Sequence, residues 1–194
     1  MARFWTSDTH FGHEGILRFE PDNRPFSSVE EMNEVLVERW NAVVSPKDMV
    51  YHLGDVAMGK IAESLPVMGR LNGRKVLIPG NHDRVFSGMK QAQRDKFRQP
   101  YQEVFDAISR EQERTHIGPH LVAMCHFPYE GDSHGEGNDR YSELRPVDEG
   151  LPLIHGHVHG QWKIRGRQFN VGVDVNSLQP VHEDEICHWL ETLV

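Results

Sequence analysis

A chain of 194 residues with 38% hydrophobic and 26% charged side chains has the size and composition of a single soluble domain with a sizeable core. No apolar stretch approaches the roughly 20 residues that span a bilayer. The start, MARFWTSDTHFGH, lacks the apolar core of a signal peptide, and two distant cysteines, Cys125 and Cys187, read as free thiols of a cytoplasmic protein. The formal net charge of −8 argues against a broad basic grip on extended nucleic acid.

In chain order, RFWTS (3–7) is the first strand candidate and runs directly into Asp8-Thr9-His10. The segment 28–44 places Val29, Met32, Leu36 and Trp40 at helical spacing, with a serine at 27 or 28 to cap it, and Ser45-Pro46 to end it. MVYHL (49–53) is a strand that ends in Gly54-Asp55. A short helix is expected at about 60–68. KVLIP (75–79) is a buried strand that ends in Gly80-Asn81-His82-Asp83, and 87–99 reads as a polar helix. LVAMC (121–125) leads to His126, and LPLIH (151–155) leads to Gly156-His157-Val158-His159. Between them, 128–150 is a long, polar, Gly-rich loop insertion, a length that usually carries function. A hairpin about Gly166 follows, and the terminal ICHWLETLV is a strand or a short helix.

Five apolar strands thus each end in residues of metal-ligand type, with helical segments between several of them. That order makes an α/β fold, in which ligands gather at the carboxyl ends of the strands. Two Asp, one Asn and four His, namely Asp8, His10, Asp55, Asn81, His126, His157 and His159, exceed the four ligands of a tetrahedral zinc site. They suit two ions sharing a carboxylate, and this oxygen and imidazole set favours manganese, iron, zinc or nickel. Such a pair about 3.5–4 Å apart is the clamp used for phosphoryl displacement. If the chain stays extended, His157 and His159 point to the same side, one to each ion. His155 is set apart as a core residue or one that supports the ligands from behind. Two divalent cations with Asp8 and Asp55 leave roughly +2, enough to hold an anionic phosphate on an acidic protein.

These residues resemble the five motifs of the calcineurin-like metallophosphoesterases: DTH at 8–10, GD at 54–55, GNHD at 80–83, His126, and GHVH at 156–159. The stretches SDTHFGHEGILRF and NVGVDVNSLQPV are similar to a subgroup of small bacterial and phage members. The resemblance implies a four-layer α/β/β/α sandwich of two mixed β-sheets flanked by helices. It also implies two divalent ions per chain, manganese first, one held by Asp8, His10, Asp55 and His159 and the other by Asp55, Asn81, His126 and His157. A hydroxide between the ions would attack phosphorus, with His82 at the leaving-group oxygen. The protein phosphatases of the family carry GDxxDRG, whose second Asp orients the catalytic histidine. Here the segment reads GDVAMGK, so Asp83 is the candidate to orient His82. His13 and Arg24 are the candidate phosphate contacts.

The resulting expectation is a dinuclear phosphodiesterase for small nucleotide or cyclic phosphodiesters. A phosphomonoesterase for small molecules ranks second, a nuclease third, and a metal-binding scaffold without turnover last. No membrane partner is expected.

Overall fold

The computed structural model describes residues 1–134 and 140–193, so 135–139 of the long loop lie outside the described residues. Four parallel strands, β1 (Arg3–Thr6), β2 (Met49–His52), β3 (Arg74–Leu77) and β4 (Ala107–Ile108), form the first sheet, and β10 (Val181–His182) pairs antiparallel with β1. The second sheet has the order β5-β6-β7-β9-β8, from β5 (Gln112–Ile117), β6 (His120–Cys125), β7 (Leu153–His155), β8 (Ile164–Arg165) and β9 (Gln168–Asn170). In it β6, β7 and β9 are parallel, while β5 and β8 are antiparallel edges. Two mixed sheets flanked by helices make up the metallo-dependent phosphatase fold, as the resemblance implies.

The period of two along each strand divides the core. Phe4, Val50 and Leu77 face the helices and pack with Met32, Leu36, Trp40, Tyr101 and Phe105. Trp5 and Ile78, next to Phe4 and Leu77, and Leu53, three positions after Val50, point between the sheets, against Val122, Met124, Ile154 and Phe169. There the Trp5 indole N–H lies 3.1 Å from the Met124 sulfur. On the far side of the second sheet, Cys125 and Leu153 pack with Phe86 and Phe127.

Helix α2 (Val29–Val43) forms because Val29, Met32, Leu36, Val37 and Trp40 share one face and are buried. Ser28 caps it by accepting from the Glu31 N–H at 3.1 Å, and the Glu31 carboxylate returns to the Ser27 N–H at 2.8 Å. Truncating buried Leu36 to Ala would cost about 2–5 kcal/mol. The smaller helices on this side are α1 (Ile16–Phe19) and α3 (Ile61–Ser64), the latter continued by a 3₁₀ turn to Arg70.

Two elements extend beyond what sequence reading expects. Helix α4 (Gln91–Val104) runs through Pro100, because Tyr101 and Phe105 beyond it are buried and stacked at 6.3 Å. The terminal segment is a helix, α5 (Glu183–Glu191), with three acids in its first turn and Ile186, Trp189 and Leu190 sealing the inter-sheet core. The polar strand β5 has no apolar alternation to announce it and is held by its pairing with β6.

Candidate metal centre and active site

All five motif loops leave the carboxyl ends of strands: β1, β2 and β3 in the first sheet, β6 and β7 in the second. Asp8, His10, Asp55, His157 and His159 have left-handed backbone, with φ of 57°, 49°, 56°, 70° and 47°. Asp and His tolerate this region better than most residues, yet each instance costs about 1–3 kcal/mol and marks a functional constraint. Hydrogen bonds between loops hold the strained turns. Asp8 N–H donates to Gly54 O at 3.0 Å, His10 N–H to Asp55 O at 3.1 Å, and Gly156 N–H to His126 O at 3.0 Å. Gly54, at φ +85°, lies so close to Gly80 that a side chain would strike its backbone nitrogen, and a Cβ at Gly156 would strike Ser7 and Asp8.

The loops bring the seven expected ligand residues together. Asp55 Oδ2 lies 3.4 Å from His126 Nε2, 3.7 Å from His10 Nε2 and 3.9 Å from His82 Nε2. Asn81 Oδ1 is 3.1 Å from His126 Nε2, and the His157 N–H donates to Asp8 Oδ2 at 3.0 Å. His10 and His159 stack with ring centres 5.0 Å apart. Two buried groups, Asp8/His10/His159 and Asp8/Asp55/His126, each have ligand atoms within 4.8 Å of one another.

The chemistry of this donor set fits cations. Asp8 Oδ1 and both ring nitrogens of His10 are buried without a hydrogen-bond partner, an arrangement that is costly in a dry interior and that a cation would satisfy. Burial holds His10 well below the usual imidazole range and lowers His157 to about 3, so both are neutral and ligand-ready at pH 7. Burial also disfavours charge on His126, but the Asp55 charge and hydrogen bond override it and raise the ring to about 9. Likewise, for His159, the Asp174 hydrogen bond and the Asp8 charge outweigh burial and raise the ring. The carboxylates therefore call for positive charge where a metal ion would supply it.

Three expectations are corrected. Arg24 does not reach a phosphate: it is fully buried, its guanidinium held by Asp174 at 2.6 and 3.1 Å, by Thr9 O at 3.0 Å and by Asp8 O at 2.5 Å. It braces the first motif loop from below. Asp83 does not orient His82. Its Oδ2 accepts from the Asp55 and Gly80 N–H groups at 2.9 and 2.8 Å, and its Oδ1 from the Val56 N–H and Tyr101 hydroxyl, both at 3.1 Å. Four donors saturate a carboxylate, so Asp83 clamps the second motif loop to the third. Finally, His157 and His159 do not share one side, because the chain leaves extended geometry after His155 and both residues turn left-handed. His157 packs against His126 at 5.2 Å between ring centres, while His159 goes to His10. His155 Nδ1 instead meets Gly156 O at 2.7 Å.

His82 is the accessible imidazole of the cluster, its side chain 43% exposed, while its backbone N–H donates to Asp55 Oδ1 at 2.9 Å. His13 is half-buried beside His10, ring centres 5.4 Å apart, and burial followed by the charges of His82 and Arg24 lowers it to about 4. Two carboxylates are missing from the sequence-derived set. Asp174 Oδ2 lies 2.8 Å from His159 Nδ1, leaving Nε2 as the ligand atom. Asp132 Oδ2 lies 3.4 Å from His157 Nε2. Such carboxylates orient ligand imidazoles. Asp174 sits in the NVGVDVNSLQPV stretch already singled out by resemblance; Asp132 lies in the polar loop with no pattern to mark it.

A two-sheet α/β domain with Asp, His and Asn converging at the carboxyl ends of its strands defines a metal-dependent phosphoester hydrolase. Residues 4–161 match the calcineurin-like phosphoesterase family, and the chain belongs to it. Members of that family typically bind two divalent metals. The chain is 33% identical over 215 residues to the gene 66 protein of Mycobacterium phage L5, covering 97% of this chain and 100% of the phage protein. It is 35% identical over 196 residues to the gene 66 protein of Mycobacterium phage D29, covering 94% of each. A protein of unknown function from Aquifex aeolicus has a similar structure, with a TM-score of 0.73 at 29% identity over 97% of this chain and 98% of that one. Among the described residues no helix is long and apolar enough to cross a membrane.

Proposed function

We propose that the protein is a dinuclear phosphodiesterase for small nucleotide or cyclic phosphodiesters, with manganese as its first-choice metal, working in the cytoplasm, a compartment that suits two free cysteines. The observation that carries this reading is Asp55, whose Oδ2 faces three imidazoles from three different loops, those of His10, His82 and His126, the position of a carboxylate shared by two ions. In this assignment Asp8, His10, Asp55 and His159 hold one cation, and Asp55, Asn81, His126 and His157 the other. When bound, the two cations supply Lewis-acid charge to the phosphate oxygens and lower the pKa of an attacking water.

The chain's own residues do the rest. His82 is surplus to the ligand count and half-exposed over Asp55; it stands at the leaving oxygen, as proton donor or as a hydrogen bond to the charge developing there. Neutral His13 at the rim offers a hydrogen bond to a phosphate oxygen. Diesters rank above monoesters because GDVAMGK lacks the second Asp of the protein-phosphatase motif, and the net charge of −8 disfavours long nucleic acids.

Incubation with manganese(II) and matched chromogenic diester and monoester substrates tests this. Release from the diester is expected, and release from the monoester alone refutes it. His82→Ala should lower kcat by roughly 10²–10⁴ while metal content, read by elemental analysis, stays the same; loss of metal would remove His82 from this role.

A further inference from the structure

The strand order continues one step past the metal motifs. Asp8 follows β1, Asp55 follows β2 and Asn81 follows β3; the next parallel strand, β4, ends at Ile108, so Ser109 and Arg110 emerge at the same end of the sheet. Beside them is a cleft of about 310 Å³ lined by Pro79, Ser87, Arg94, Arg98, Arg110 and Glu111, among others. Pro79 directly precedes the Gly80-Asn81-His82 loop. Strands lie about 4.8 Å apart, so the end of β4 stands roughly 10 Å from that of β2, which carries Asp55.

The cleft gathers three arginines on an acidic protein. Acids outnumber Lys plus Arg by 29 to 21, and several cations are paired with them: Arg3 with Glu183, Arg70 with Glu34, Lys163 with Glu185 and Arg167 with Asp148. Among the described residues, Arg94, Arg98 and Arg110 have no carboxylate partner within ion-pair distance. The carboxylate in the cleft, Glu111, is turned to Ser87, accepting from its N–H at 2.6 Å and its hydroxyl at 2.8 Å. Arg94 Nε is buried without a hydrogen-bond partner, while its Nη2 bonds Gln91. Glu113 borders the cleft as well, accepting from the Ser109 hydroxyl at 2.6 Å and the Arg110 backbone N–H at 3.3 Å. Three guanidinium groups against two engaged carboxylates leave local charge of about +1, and planar forks of this kind suit phosphate oxygens.

We infer that this cleft is a second anion subsite, which binds a phosphate group that the substrate carries beyond its scissile diester. The substrate class is then a nucleotide with a further phosphate rather than a simple diester. The assignment of the anion to a substrate rests on the phosphodiesterase reading; the existence of the subsite does not.

Isothermal titration of inorganic pyrophosphate into the full-length protein, kept in EDTA, tests the subsite without turnover. Saturable binding of one pyrophosphate per chain is expected. The double variant Arg98→Gln, Arg110→Gln should weaken it roughly tenfold or more, since charge-assisted hydrogen bonds are lost. Both residues are exposed, so folding, checked by circular dichroism, should hold. Lys47→Gln, which removes one positive charge just before β2 at the opposite end of the sheet, should leave binding unchanged. No saturable binding, equal weakening by Lys47→Gln, or full binding by the double variant overturns the inference. Pyrophosphate binding without turnover of any diester would instead remove the functional reading and leave the subsite standing.

Discussion

Asp83→Ala and Asp83→Asn form a matched pair that tests the clamp between the second and third motif loops. Both substitutions remove the charge of a carboxyl that burial and the neighbouring Asp55 push up to about 6, so any relief of that unfavourable charge is common to both. Their difference isolates the hydrogen bonds. The asparagine oxygen can still accept from the Asp55 and Gly80 N–H groups. Its amide N–H can donate to the Tyr101 oxygen, whose hydroxyl hydrogen is free to rotate, so only the Val56 N–H loses its acceptor. Alanine leaves three backbone N–H groups and the phenol without their acceptor. At about 1 kcal/mol net for each retained bond, Asp83→Ala should be about 2–3 kcal/mol less stable than Asp83→Asn. Urea unfolding of both variants and the wild type in EDTA, with m-values compared, measures this. A difference below about 1 kcal/mol would refute the clamp. So would a pair of variants with wild-type stability whose kcat fell as far as that of His82→Ala, because that is the signature of a residue that orients His82.

Other outcomes follow from the same geometry. Asp174→Asn removes the anion that fixes His159 and leaves buried Arg24 uncompensated; metal affinity by competition titration should fall about 10–100-fold, and stability by about 3–5 kcal/mol. Manganese binding at pH 7 should release on the order of one to two protons into weakly buffered solution, because His126, at about 9, and raised His159 must deprotonate to become ligands; zero release contradicts that electrostatic account. Buried His52 and His155 are lowered from 6.5 to about 3 by desolvation. The unfolded chain binds more protons on these two residues between those values, so their contribution to stability is full above about 6.5 and should fall by about 1.4 kcal/mol per pH unit for each ring as pH drops toward 3. A flat stability profile from pH 6.5 to 5 in EDTA would contradict it.

What the sequence discloses divides by the range of the signal. Helix α2 is legible because its apolar period, its cap and its stop are all local, and the motif loops are legible because each follows an apolar strand. Polar β5 carries no such period, and Pro100 reads as a terminator although the aromatics beyond it hold α4 together. The role of Arg24 depends on Asp174, 150 positions away, and nothing local distinguishes a buried guanidinium from one that meets a phosphate. The GNHD motif suggests a partnership between neighbours His82 and Asp83, but the backbone sends the carboxylate inward to two loops. The GHVH motif names two ligands and hides the left-handed turns that send them apart.

Each ligand cluster draws from both halves of the molecule: Asp8 and His10 with His159, Asp8 and Asp55 with His126. A bound cation therefore rivets one sheet to the other, and by thermodynamic linkage the docking of the sheets and the occupancy of the rivet must rise and fall together. Thinning the layer where Trp5 meets Met124, a contact that includes none of the ligand residues, should loosen the hold on the ions, so a packing lesson would be read on a metal titration.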